Sequence, residues 1–154
     1  MLIAIDPGTY ESAYVLFEMD ETGKYEIKGF DKAKNDTVKR LILAHKPFSF
    51  VEAIKSYGNI MGDSIIETAV WIGRFIEVSK GFRLIPRKTI VTELCGNPRA
   101  NDSNIRQAII DLYGGKEKAV GTVKRKGPLY GVRKDIWNAL AIVVYVSNLT
   151  KRYL

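Results

Sequence analysis

The sequence has one cysteine and one histidine in 154 residues, five prolines, and no uninterrupted apolar run long enough to cross a bilayer. A lone Cys95 excludes an internal disulfide framework, and with only His45 beside it a structural zinc site is a poor fit. Cys95 itself reads as a small buried apolar residue, and His45 as the solvent-facing end of a helix. No basic stretch leads into an apolar run and small-residue cleavage site at the N-terminus, so a cytoplasmic location without membrane attachment is expected. Internal repeats, linkers and low-complexity tracts are also missing. With 46% hydrophobic and 27% charged residues, the expectation is one domain spanning 1–154.

Positive charge is plentiful. Lys and Arg number 24 against 17 Asp and Glu, giving a net charge of +7 and a sequence pI near 9.5. This balance favours a polyanionic partner, with nucleic acid ahead of a membrane surface.

Periodicity predicts alternating elements. Residues 2–5 form a buried strand, and "SAYVLFEMD" and "KYEIKGFDK" flank the turn "ETGK" as two more strands. "DTVKRLILAHK" reads as a helix with Asp36 as a cap, ending before Pro47. "FSFVEAI" is a fourth strand. "GDSIIETAVWIGRFIEVSKG" is a helix capped by Asp63 or Ser64, and "FRLIP" is a fifth strand. Two helices follow in "RKTIVTELCG" and "NDSNIRQAIIDLYGG", the second capped by Asn101 or Ser103. "GKEKAVGTVKRKGPLYGVRK" reads as a long basic loop, and "DIWNALAIVVYVSNLTKRYL" as a mostly buried last helix. The order implies an α/β fold with a mixed central five-stranded sheet and helices on both faces.

The chemistry lies in acidic residues set within apolar runs. Asp6 follows "LIAI" in the first strand and Glu52 follows "FSFV" in the fourth, so both carboxylates emerge near one end of the sheet. Asp135 opens the last helix, and Asn138 stands one turn later on the same face. Carboxylates gathered from distant segments repel one another unless cations neutralise them, and hard oxygen ligands favour Mg²⁺ or Mn²⁺ over zinc. A pair of such ions about 3.5–4 Å apart would serve phosphodiester hydrolysis without a histidine or cysteine nucleophile. Each residue also has a plainer reading: Asp6-Pro7-Gly8 as a turn, Glu52 as a strand-end surface residue, Asp135 as a helix cap.

Taken together, "IAIDPGT", "FVEAI", "RKTIV" and "DIWNALAIVVY" resemble the RuvC Holliday junction resolvases of the RNase H-like superfamily, in order and spacing, over nearly the whole chain. The compact size is similar to phage-encoded members. Sugar kinases and actin-like ATPases share an aspartate and glycine on the first strand, but they are far longer and need a second phosphate loop that this sequence lacks. The resemblance implies an RNase H-like fold and a structure-selective endonuclease cutting four-way junctions in the bacterial cytoplasm or a phage-infected cell. Asp6, Glu52, Asp135 and Asn138 would be the catalytic, metal-binding positions, with two Mg²⁺ or Mn²⁺ ions. At position 138 the family pattern has aspartate. Three readings of Asn138 stay open: Asp135 is the main ligand from this helix, the asparagine is a tolerated variant, or it is an inactivating one.

The resemblance also implies a homodimer, and the helix bearing Trp71, Ile72, Phe75 and Ile76 is apolar on more than one side, although those residues read equally as core. In "SYGNIMG", Tyr57, Ile60 and Met61 could stack on or wedge into an open base step, or simply cover the core. Lys124, Arg125, Lys126, Arg133 and Lys134 precede Asp135 and are candidate phosphate contacts, as are Arg87, Lys88 and Arg99. Two alternatives remain: another RNase H-like nuclease acting on flaps, forks or RNA–DNA hybrids, and a catalytically weak binder of branched DNA.

Overall fold

A computed structural model describes residues 1–55, 58 and 61–153. Five strands form one mixed sheet in the order β3-β2-β1-β4-β5. β1 (Leu2–Asp6), β2 (Glu11–Met19) and β3 (Tyr25–Lys34) are an antiparallel meander, while β4 (Phe48–Ala53) and β5 (Gly81–Pro86) run parallel to β1. The chain therefore makes hairpins first and helical crossovers afterwards, because parallel neighbours need a long return path.

Alternation along the strands divides the core. Ala4, Val15, Phe17, Phe50 and Ile85 face one side of the sheet, and Ile3, Ile5 and Val51 face the other. The first side is covered by α3 (Arg87–Cys95), α4 (Asp102–Leu112), the single turn α5 (Lys116–Ala119) and α6 (Ile136–Arg152). α1 (Asn35–His45) and α2 (Asp63–Val78) cover the second. α6 is buried without a break from Ile136 to Ser147, which accounts for a sequence apolar on several sides. No helix among the described residues is long and apolar enough to cross a membrane.

Element boundaries follow the sequence closely, but several helix starts do not. α2 begins after Gly62 with no side-chain cap, so neither Asp63 nor Ser64 plays that part. Asp36 lies inside α1, which starts after Lys34. At α4 the expected cap is present: Asn101 accepts the Asn104 backbone N–H, and Asn104 returns the bond as a capping box. Cys95 is half-buried at the edge of the core, and His45 is exposed at the end of α1.

The basic stretch after α4 is more ordered than its glycines suggest. The Thr122 N–H donates to the Arg125 carbonyl (2.9 Å), Gly127 N–H to Val120 (2.9 Å), and Gly121 bridges Lys126. Side chains are excluded at two positions of this hairpin: a Cβ on Gly121 would lie 2.1 Å from the Arg125 oxygen, and one on Gly127 2.4 Å from the Ala119 oxygen. The glycines allow close backbone packing, which reads in sequence as flexibility.

Candidate active site

Register brings the carboxylates to one end of the sheet. Ile5 pairs with Val51 across β1 and β4, so the next residues, Asp6 and Glu52, stand side by side where the strands end. Both belong to the alternation that faces α6, since Ala4 and Phe50 two positions earlier pack beneath it. From above, the first turn of α6 lowers Asn138 onto Asp6: its Nδ2 donates to Asp6 Oδ2 at 3.3 Å.

The turn after Asp6 is fixed by side chains. Gly8 N–H donates to Ser12 Oγ (3.2 Å), which in turn donates to Asn35 Oδ1 (2.6 Å). Asn35 Nδ2 donates back to the carbonyls of Gly8 (2.9 Å) and Thr9 (3.1 Å). Ser12 and Asn35 are both buried, so this network fastens "DPGT" to the start of α1.

Electrostatically the site is poised for a cation. Burial, reinforced by the charges of Glu52 and Asp135, pushes the Asp6 carboxyl up to about 7, against the opposing Asn138 hydrogen bond and Arg87 charge. Burial also raises Glu52, opposed by Arg87, whose Nη1 lies 3.4 Å from Glu52 Oε2. Asn138 Oδ1 is buried and has no hydrogen-bond partner, the only such side-chain atom among the described residues. An unsatisfied carbonyl oxygen beside two desolvated carboxylates is a donor set suited to a hard divalent ion, which would relieve both the orphan oxygen and the like-charge repulsion.

Asp135 behaves differently. It precedes α6 in a helical conformation and caps nothing with its side chain. Instead its Oδ2 takes an ion pair from Lys32 of β3, Nζ at 2.5 Å. Among the described residues no three His, Cys, Asp or Glu side chains converge on an ion position. Asp6 and Glu52 reach the same end of the sheet with the Asn138 amide resting on Asp6, while Asp135 adds its charge from the side.

The anticipated basic residues are divided. Arg87 is spent on Glu52 and on Asp102, bridging α3 and α4. Lys126 lies over the Tyr130 ring, 5.0 Å from its centroid. Lys88, Arg99, Lys124, Arg125, Arg133 and Lys134 are exposed, and Arg133 and Lys134 line an open cleft of about 350 Å³ with Asp102, Arg106 and Asp135. A second cleft, about 670 Å³, passes Thr9, Tyr10, Lys32 and Asp135. Met61 is exposed, whereas Tyr57 and Ile60 lie outside the described residues. Sequence reasoning missed Lys32 and Asn35. Lys32 looks like any polar residue of an alternating strand, and Asn35 carries no motif; only the register and the turn network reveal them.

No protein-family model and no curated protein matches the sequence. Solved structures do. Thermus thermophilus RuvC superposes with a TM-score of 0.66 at 13% identity, covering 99% of this chain and 95% of that one. The same protein in complex with Holliday junction substrate gives 0.68 at 12% over the same shares. The Fowlpox virus resolvase bound to substrate Holliday junction DNA gives 0.59 at 15%, covering 97% of this chain and 99% of that one. A likeness this complete at so low an identity resides in the backbone, and it assigns the chain the mixed-sheet, RNase H-like fold of RuvC.

Proposed function

We propose that this protein is a Mg²⁺- or Mn²⁺-dependent endonuclease that resolves four-way or other branched DNA. The observation that carries the reading is the juxtaposition of Asp6, Glu52 and the unsatisfied Asn138 carbonyl at the end of a sheet whose fold matches junction-bound resolvases. A divalent ion bound there would activate water and stabilise the leaving oxygen of a phosphodiester. Asp6 and Glu52 supply the charged ligands, and Asn138 holds Asp6 in place while offering its carbonyl oxygen. Arg87 orients Glu52 by gripping it and Asp102 together. Lys88, Arg99, Lys124, Arg125, Lys126, Arg133 and Lys134 are proposed to contact phosphates, and Tyr57 and Met61 bases near the junction centre.

Two strands of a junction must be cut, so the proposed working unit is a homodimer. Of the α2 residues first considered, Ile72 and Phe75 are buried in this chain's own core, with Trp71 and Ile76 packed against it. The apolar surface available to a second copy is instead Ile65, Ile66 and Val70 of α2, with Phe82 and Leu84 of edge strand β5 on the same side of the sheet. The proposed setting is the bacterial cytoplasm or a phage-infected cell, where branched intermediates of recombination arise.

The test compares a synthetic four-way junction, a replication fork and an RNA–DNA hybrid in Mg²⁺ and in Mn²⁺. Symmetric nicked duplexes from the junction are the expected result, and preferential cleavage of the fork or hybrid would move the protein to another nuclease class. The lost carboxylate at position 138 favours a second reading, a weakly catalytic junction binder, which tight binding without cutting in either ion would support.

A further inference from the structure

Lys32 lies in a single row of paired residues that crosses the sheet. It is registered with Ala13 of β2, Ala13 is registered with Asp6 of β1, and Glu52 of β4 continues the row. Directly paired residues point to the same face, so all four look toward α6. Ala13, buried and offering only a methyl group, leaves space above β2 across which the long Lys32 side chain reaches from the edge strand to the start of α6. There its ammonium sits 2.5 Å from Asp135, 103 residues away, and feels the charge of Asp6 as well. Lys28, four residues earlier on the same strand, pairs with Glu18 and Glu26 on the meander surface. Lys32 is thus the meander lysine directed into the candidate active site.

We propose that Lys32 is a built-in counter-cation that claims Asp135, so that this centre takes one divalent ion, on Asp6, Glu52 and the Asn138 carbonyl, where the sequence suggested two. The inference rests on the nuclease reading above and concerns how its site is charged. Four carboxylates, Asp6, Glu52, Asp135 and the Asp102 that shares Arg87, face two side-chain cations, Lys32 and Arg87. One divalent ion brings this group close to neutrality, whereas two would leave it strongly positive in a half-buried setting where charge is poorly screened. Asn138 fits the same scheme: an amide contributes a ligand oxygen without the charge that a second ion would need. Lys32 is then a positioning residue, acting by holding Asp135 out of reach of a second ion.

Bound Mn²⁺ is counted on the full chain by calorimetry and by electron paramagnetic resonance, for the unmodified protein, Lys32→Met and Lys32→Arg. The expected result is one ion on the unmodified protein, one on Lys32→Arg, and two on Lys32→Met, because Asp135 is freed. A lysine that merely braced α6 would change stability and leave the count at one. Two ions on the unmodified protein, or one on Lys32→Met, would overturn the inference while junction cleavage still upheld the nuclease reading. No bound ion together with no cleavage would remove both. Far-ultraviolet circular dichroism confirms that each variant is folded before counting; should Lys32→Met fail to fold, Lys32→Gln replaces it, with two ions expected and one overturning the proposal.

Discussion

The two faces of the sheet are finished to different degrees. On the α6 side, strand residues, α3, α4 and α6 close over one another so fully that α6 is buried all round for twelve consecutive residues, Ile136–Ser147. On the α2 side a smaller core of Ile3, Ile5, Val38, Ile42, Val51, Ile72 and Phe75 is buried, yet Ile66 and Val70 remain half exposed beside it, as does Phe82. The closed face is also the one that carries Asp6, Glu52 and Asn138. Burial there desolvates Asp6 and Glu52 and holds Asn138 in contact with Asp6, which an open face could not do. The open face leaves apolar surface exposed, the face proposed above for a second copy.

The strongest way to break this contrast is at Asp6. Replacing it with asparagine should reduce junction cleavage by more than about a thousandfold, since the principal charged ion ligand is lost. Urea denaturation without divalent ion should show the variant folded and no less stable. If cleavage survives, the closed face is not the reactive one.

A second pair of changes sets the faces directly against each other. Leu140→Ala, deep under the sheet, should cost about 2–5 kcal/mol in unfolding free energy, from lost transfer energy and the cavity left behind. Val70→Ala, half exposed on α2, should cost well under about 1 kcal/mol yet shift sedimentation toward the monomer if that face joins two copies. Equal destabilisation by both would show that α2 is covered within the single chain.

pH sharpens the same comparison. The folded Asp6 carboxyl, raised from 3.8 to about 7, holds its proton where the unfolded chain has released it. Between these values the native state binds more protons, so the Asp6 contribution to ion-free stability is fully present below about pH 4 and is lost as pH rises through 7. The loss should approach roughly 2–4 kcal/mol by pH 8, with Glu52 acting in the same direction. Asp6→Asn should flatten the profile, measured by urea denaturation with chelator present.

Much of this was legible in the sequence because local signals agreed with the global fold. "LIAI" ending in Asp6 and "FSFV" ending in Glu52 are buried strands that deliver a carboxylate at a shared edge, and strand alternation fixes which way each points. Asp135 was harder. Its position before an apolar helix reads as a cap, but Lys134 adopts a left-handed φ of 48° and Asp135 itself is already helical, so its side chain leaves the helix end and meets Lys32. No local rule couples two residues 103 apart; the link is made by sheet register. The expected caps of α1 and α2 fail locally: β3 runs straight into α1 at Asn35, placing Asp36 inside the helix, and α2 starts after Gly62, which has no side chain to cap it.

The smallest effect should come from the hairpin between α5 and α6, where cations that looked alike in sequence have different surroundings. Lys124 and Arg125 project from a tight turn held by the Thr122–Arg125 backbone bond, whereas Lys126 lies against the Tyr130 ring. If the exposed pair contacts phosphates, replacing both with glutamine removes up to two released counterions and lowers the salt slope of junction binding by about 1.8. Between about 50 and 200 mM salt, the fall in affinity should then be roughly tenfold shallower than for the unmodified protein, as read by fluorescence anisotropy. Lys126→Gln alone should change the slope by well under the roughly 0.9 expected of one full phosphate contact, because a cation resting on an aromatic ring must leave it before reaching DNA. A slope indifferent to the Lys124 and Arg125 changes would instead favour a DNA path along the cleft of Arg133 and Lys134.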